Sequence, residues 1–502
     1  MNLIKKYRYE IIIFIMDAIS MILELVASRV ISPFFGNSNY VWTGVIGIIL
    51  LSTSIGNYLG GRAADKEDVN ENLKVALFCT SIFILVIPIF QEAIMNLLVK
   101  TNVGVAIGGI LASTLLFFAP SLFMGLINPM IVRLKMKNLH TAGQSTGKIY
   151  SIATIGGLFG TFLGGFVLIP NIGSVYILYI LDIIVCLMIP LVDLKIKDKM
   201  NYFVFGILLL CLTLFGFSIK KNNDAGNKVL SGDLSSTVSF DTQYGRALIY
   251  NRMLNNEKVR ILNTDSGYES ATFIDKDKRN DLVFEYTKYY DRMFEINECK
   301  DILMIGGAGY SYPKYFISHN PDKNMDVVEI DGDITKIARK YFYLDDLFIE
   351  YDLNNNRRLN LITEDGRVYL NQNSKKYDNI LNDAFLGSNP ARVLTTLECV
   401  EKIKESLKPD GAYLTNIVSS LEGDNSKFIK AEVNTISKVF KYVYVVPCNK
   451  NKKTDEIENN MVIGTDKELK IDDAYNLKID NNTIILTDDY CPVDTLIPNL
   501  KK

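Results

Sequence analysis

In the second half of the chain, a glycine turn and four acids fall at spacings suited to holding a nucleoside. The stretch Asp301 to Asp331 reads DILMIGGAGYSYPKYFISHNPDKNMDVVEID. The apolar run from Ile302 to Ile305 ends in Gly306-Gly307-Ala308-Gly309. A helix is predicted next, and a second apolar run ends in Glu329 and Asp331. Glycines in such a turn let the backbone come close to a ligand. An acid at the tip of the second strand accepts hydrogen bonds from two ribose hydroxyls. Farther on, RRLNLITEDGRVYLN predicts a strand ending in Glu364-Asp365-Gly366, where an acid beside glycine suits a purine amino group. YDNILNDAFLGSNP predicts a strand ending in Asp383. Four successive strands thus end in Gly306, Glu329, Asp365 and Asp383, and an open α/β sheet binds ligands at the carboxyl ends of its strands.

Positioning these residues requires an α/β nucleoside-binding domain, predicted over 301–502. There ECVEKIKESLKPDGAYLTNIV adds a helix, a turn and a strand. Residues 237–300 predict a small β-rich subdomain, because VSFDTQYGRALIYN and KVRILNTDSGYESATF alternate in strand fashion. Its closing stretch, 281–296, predicts a helix carrying Phe284, Tyr286, Tyr289 and Tyr290, whose aromatic stripe suits core packing. Residues 221–236 are polar and predict a linker.

Residues 1–220 differ sharply. They hold seven apolar segments near 9–31, 40–61, 73–90, 103–134, 149–170, 172–192 and 201–219, each about the ~20 residues a bilayer demands. The composition predicts a multi-pass membrane domain in a lipid bilayer. Asp17, Glu24 and Arg29 in the first segment argue against a cleaved leader. As charges within a span they predict either a structural ion pair with snorkelling or a polar site. Gly44, Gly47, Gly56, Gly60, Gly61, Gly156, Gly157, Gly160, Gly164 and Gly165 predict close helix packing. Pro120 and Pro129 predict a kink in the fourth segment. Lys and Arg cluster at 5–8, 62–74, 133–148 and 195–199, which predicts a cytoplasmic N-terminus. Seven crossings would then carry the second half outside, away from a nucleoside cosubstrate. Two readings restore parity: a fourth segment split at Pro120, or a last segment that does not fully cross.

Several classes are disfavoured. The net charge of -2 gives no argument for nucleic acid. Seven cysteines form no CxxC pair, so neither a zinc site nor a disulfide framework is indicated. With only His140 and His319, a histidine metal site or catalytic triad is not expected.

Over roughly 237–450 these residues resemble the spermidine synthases (polyamine aminopropyltransferases). The apolar half resembles the membrane-fused branch of that family, through ELVASRVISPFFGNSNYVW, GNYLGGRAADK, GLINPMIVR and GKIYSIATIGGLFGTFLGGFVLIPNIG. The resemblance implies a Rossmann-like, class I S-adenosylmethionine-type domain and no permanently bound cofactor. It implies transfer of an aminopropyl group from the cosubstrate decarboxylated S-adenosylmethionine to putrescine or a related amine. Gly306, Gly307, Gly309, Glu329, Asp331, Asp365, Gly366 and Pro390 would form the adenosine site. Asp383 would be the general base, held ionised by the sulfonium cation. A homodimer through the soluble part is also implied.

The chain departs from the family on the amine side. The GGGDGG loop is Gly306-Gly307-Ala308-Gly309-Tyr310 here, Leu386 stands where a second acid is usual, Gly245 rather than glutamine follows Tyr244, and the tyrosine-histidine pair is Tyr286-Thr287. Tyr244, Asp265, Glu269 and Tyr286, with Glu285, are the residues available to hold the amine. Two alternatives stay open: a methyltransferase using ordinary S-adenosylmethionine, and a non-catalytic nucleoside- or polyamine-binding sensor or transport-linked protein.

Overall fold

The computed structural model describes residues 2–35, 39–66, 68–101, 103–136, 142–193, 199–264, 267–386 and 389–498. The chain forms two compact units, one comprising Met1–Asp224 with Ser239–Arg246 and the other Ala225–Val238 with Ala247–Lys502.

The first unit is helical. Its helices are α1 (Asn2–Phe35), α2 (Asn39–Ala64), α3 (Val69–Lys100), α4 (Val105–Lys135), α5 (Ala142–Phe162), α6 (Ser174–Met188) and the start of α7 (Lys199–Leu230). Among the described residues, seven helical segments are long and apolar enough to cross a membrane. α5 continues through a π turn, Leu163–Leu168, into Ile169–Asn171. Two pairs approach at backbone distance. On α2, a Cβ at Gly56 would overlap the Leu122 carbonyl oxygen of α4, and one at Gly60 would lie 2.6 Å from that of Leu126. On α5, Gly156 and Gly160 press in the same way on Phe14 and Ala18 of α1. Gly47, Gly61 and Gly165 face open space and play no such part.

Two expectations are corrected. The fourth segment is not split: α4 runs unbroken through Pro120 and Pro129. The Arg29 guanidinium donates to the Gln243 carbonyl. Residues 221–230 are helical rather than linker, because α7 continues to Leu230. A helix end leaves carbonyls without partners. Here Asn251 and the fully buried Arg260 donate to the Val229 carbonyl at 2.7 and 2.9 Å, which fixes the last turn. Lys137, His140, Lys195 and Lys197 lie outside the described residues.

In the second unit, β2 (Arg246–Leu254), β3 (Glu257–Thr264) and β4 (Gly267–Phe273) form an antiparallel meander after β1 (Thr237–Asp241). The aromatic stretch is a 3-10 helix, Glu285–Glu295, not an α-helix. The main sheet contains β5 (Asp301–Ile305), β6 (Asn324–Glu329), β7 (Leu359–Thr363), β8 (Tyr377–Asn382), β11 (Leu407–Ser419), β12 (Tyr442–Pro447) and β13 (Glu458–Thr465). Between β8 and β11 lies a short hairpin, β9 (Phe385–Leu386) with β10 (Asn389–Pro390). The order across the main sheet is β12-β13-β11-β8-β5-β6-β7. The strands from β11 to β7 run parallel, and β13 is antiparallel to both neighbours. The mixed seven-stranded sheet is Rossmann-like. From β5 the chain moves to β6 and β7 on one side, then returns to β8 on the other. The crevice between β5 and β8 is therefore the topological switch point where such sheets bind ligands. Helices α8 (Ser311–His319), α9 (Gly332–Tyr341), α10 (Leu344–Glu350), α11 (Gly366–Gln372), α12 (Leu397–Glu405) and α13 (Lys427–Ile436) belong to the same unit.

Candidate active site

Gly306 sits at the switch point with φ +97°, a conformation L side chains rarely adopt. A Cβ there would lie 2.5 Å from the Asp383 carbonyl oxygen, and the Asp383 amide donates to the Ile305 carbonyl at 2.9 Å. The glycine turn and the β8 tip are thus pressed together, which brings Gly306 and Asp383 to one place. The other turn glycines meet protein. A Cβ at Gly307 would strike the Tyr310 ring at 2.7 Å, and one at Gly309 the Ser270 hydroxyl at 2.6 Å. Gly309 therefore packs closely against Ser270 of β4.

Glu329 ends β6 with its carboxylate folded onto that turn. Oε2 accepts from the Gly307 and Ala308 amides at 2.8 and 2.9 Å, and Oε1 accepts from the Asp331 amide at 3.0 Å. A carboxylate has about four lone-pair sites, so one remains, where two ribose hydroxyls were expected. Burial pushes the Glu329 carboxyl up, and the three amide hydrogen bonds pull it back. Asp331 caps a helix: its Oδ1 accepts from the Asp333 amide at 3.0 Å at the start of α9.

Asp365 also caps a helix. Its Oδ1 accepts from the Arg367 and Val368 amides at 2.8 and 3.1 Å at the start of α11. Oδ2 accepts no hydrogen bond among the described residues. Gly366 is required by packing, for a Cβ there would lie 2.6 Å from the Ile305 side chain. Pro390 is buried on β10, paired with Phe385 just after Asp383.

Asp383 stands at the end of β8, half-buried. Tyr286 donates to its Oδ2 at 3.2 Å and Asn416, on β11, donates to its Oδ1 at 3.3 Å. Burial pushes the Asp383 carboxyl above the ordinary carboxylate range, while hydrogen bonds from Asn416, Tyr290 and Tyr286 hold it down. Burial thus outweighs these hydrogen bonds in the protein without its donor, where no sulfonium cation is present to draw the carboxyl down. Tyr286 and Tyr290 are pushed well above the phenol range, first by burial and next by the Asp383 charge. Glu269, on β4, adds a further negative charge near the Tyr286 ring and accepts from Thr264 at 2.5 Å.

Asp265 lies outside the described residues. Tyr244 belongs to the helical unit, exposed between β1 and β2. Glu285 is exposed and paired with Lys288 at 3.0 Å. Two contacts of Asp383 had no place in the sequence reading of the site: Asn416 entirely, and Tyr290 beyond core packing. The Asn416 Oδ1 is buried without a hydrogen-bond partner among the described residues. A polar pair inside the apolar run LTNIV was the available signal.

Residues 292–454 match the spermine/spermidine synthase domain. Among curated relatives, the polyamine aminopropyltransferase of Vibrio vulnificus is 34% identical over 146 residues, covering 28% of this chain and 44% of that protein. The polyamine aminopropyltransferase of Methanocaldococcus jannaschii is 24% identical over 178 residues, covering 35% and 59%. The chain thus spans about half the length of the curated relatives it matches. Among solved structures, a probable spermidine synthase from Corynebacterium glutamicum aligns with TM-score 0.39 and 21% identity over 46% of this chain and 81% of that one. The match thus lies on the segment holding β5 to β12, where residues 292–454 are similar to the spermine/spermidine synthase domain.

Proposed function

We propose that the second unit transfers an aminopropyl group from decarboxylated S-adenosylmethionine to putrescine or a related amine. The observation that carries this reading is the convergence of Tyr286 and Asn416 on the two oxygens of Asp383, beside the glycine turn at the sheet's switch point. In this reading the Asp365 Oδ2 accepts from the adenine amino group, and the remaining Glu329 lone pair accepts from one ribose hydroxyl. Gly306 and Gly307 form the turn beside them, and Pro390 lines the adenosine pocket. The acceptor enters as an ammonium ion near Asp383 and Glu269. Asp383 takes a proton, and the amine lone pair attacks the methylene carbon bonded to sulfur. The carbon–sulfur bond breaks, its electrons neutralise the sulfonium, and methylthioadenosine leaves. A buried carboxylate with a raised proton affinity is a stronger base. The sulfonium opposite it favours the ionised form needed to begin. Holding amine and donor together supplies much of the acceleration.

The same reading takes 237–300 as a small β-rich subdomain leading the α/β domain, the apolar helices as a membrane anchor, and the enzyme as a homodimer through the soluble part. We place the α/β unit in the cytoplasm, where its nucleoside is made. With a cytoplasmic N-terminus, α7 then does not complete a crossing. A reporter fused at Lys502 reads this directly: an extracellular signal defeats the placement.

Incubation with putrescine and each donor separates the enzyme readings. Methylthioadenosine from the decarboxylated donor supports aminopropyl transfer. S-adenosylhomocysteine from S-adenosylmethionine would make the protein a methyltransferase, and binding without either product would make it a sensor.

A further inference from the structure

Within the helical unit, α1 and α4 run antiparallel and face each other with polar side chains at seven-residue steps. Glu10 pairs with Lys135 at 2.6 Å. Seven residues on, Asp17 accepts a hydrogen bond from Asn128, seven residues back along α4. The next seven-residue step reaches Glu24 on α1 and Ser121 on α4. The donors run out along this row. The Glu10 Oε2, the Asp17 Oδ2 and the Ser121 hydroxyl are buried without a hydrogen-bond partner among the described residues, and Ser121 is 1% exposed. Glu24 has no hydrogen-bond or ionic partner among them either. Of the three carboxylates, Glu10 alone pairs with a cation among the described residues, Lys135, and the same two helices contribute Ile13, Met16, Val26 and Ile127 to the apolar core.

Leaving buried polar groups unpaired is costly, and such groups in a membrane helix mark ligand sites more often than packing. Successive carboxylates lie two helical turns apart, about 10 Å along the axis. That is too far for one metal ion, whose oxygen ligands sit at roughly 2–2.6 Å. No group of three His, Cys, Asp or Glu residues among those described is arranged to hold a metal. An alkylammonium group brings three donors and no acceptor, the complement of oxygens that lack donors.

We propose that the Glu10–Asp17–Glu24 row against α4 binds a di- or polyamine, with its ammonium groups at the carboxylates and its methylenes between them. The choice of an amine rests on the amine chemistry read for the α/β unit; the site itself rests on the row. It gives the helical unit a ligand of the same class as the acceptor or product of the second unit.

The test uses the full chain in lipid nanodiscs and equilibrium binding of radiolabelled putrescine and spermidine. Two classes of site are expected. Asp17→Asn and Glu24→Gln should each remove one class, weakening it at least tenfold, with methylthioadenosine formation unchanged. Asp17→Glu should retain that class, which guards against a loss caused by misfolding. Glu269→Gln should affect only the other class. Amine binding of unchanged stoichiometry in both Asp17→Asn and Glu24→Gln would overturn the proposal, as would a row that exchanges only protons. Loss of the class in Asp17→Glu as well as in Asp17→Asn would also overturn it. Absence of methylthioadenosine with Asp17-dependent binding intact would defeat the proposed enzyme activity and leave this site standing.

Discussion

Tyr286 donates its hydroxyl to Oδ2 of Asp383 at 3.2 Å, joining the 3-10 segment of the second unit to the tip of β8. The bond favours the ionised carboxylate and opposes the upward push of burial. Tyr286→Phe removes that counterweight. Asp383 then ionises at higher pH, so the acid limb of the pH–rate profile moves upward. A hydrogen bond to a charged group contributes about 1.5–3 kcal/mol, which corresponds to a shift of roughly one to two pH units. An unmoved acid limb would show that Tyr286 does not tune the base.

Glu269 is the one described carboxylate, besides Asp383, whose charge reaches the Tyr286 ring. If it receives the amine, Glu269→Gln raises the KM for putrescine by about tenfold, the equivalent of about 1.4 kcal/mol. The KM for the donor should not change. Steady-state kinetics with each substrate varied in turn gives the comparison, and an equal rise in both constants would assign Glu269 a structural part.

The three amides on Glu329 imply a different outcome. Glu329→Gln keeps one acceptor oxygen and places an NH₂ group against amide donors. Donor binding should weaken on the order of 10- to 100-fold, from about 1.5–3 kcal/mol of charged hydrogen bonding. Calorimetric titration with methylthioadenosine measures this apart from turnover.

Glu432 on α13 is 1% exposed, and its Oε2 has no partner among the described residues. Burial pushes its carboxyl well above the ordinary range. An acid whose folded pKa is raised stabilises fully only below its unfolded value, and loses that contribution as pH rises through the folded value. Glu432→Gln should therefore raise Tm at pH 8 by roughly 2–4 °C, the shift about 1 kcal/mol gives in a domain of this size. The gain should disappear as pH falls below the ordinary carboxylate range. A gain that grows in acid contradicts this account.

The strand tips were legible because each ends an apolar run with an acid or glycine, a pattern written locally. Asp331 and Asp365 show the limit of that pattern. A capping aspartate and a ligand aspartate look alike until the amides of α9 and α11 are in place. Asn416 was hidden because its partner, Asp383, is distant in sequence and meets it only through β8–β11 pairing. The end of α7 reads as linker by composition, whereas Asn251 and Arg260, reaching in from β2 and β3, bind the carbonyl of its last turn. In α1 the acids Asp17 and Glu24 were visible, whereas the facing row on α4 required the helix register.

Asp383 is the centre of the account. With purified full-length protein, decarboxylated S-adenosylmethionine and putrescine, the decisive measurement is the single-turnover rate of methylthioadenosine formation in wild type and Asp383→Asn. Loss of a general base should slow this step by about 10²–10⁴-fold, with donor binding retained. Methylthioadenosine formed at the wild-type rate by Asp383→Asn, or no methylthioadenosine from the wild type, would contradict it.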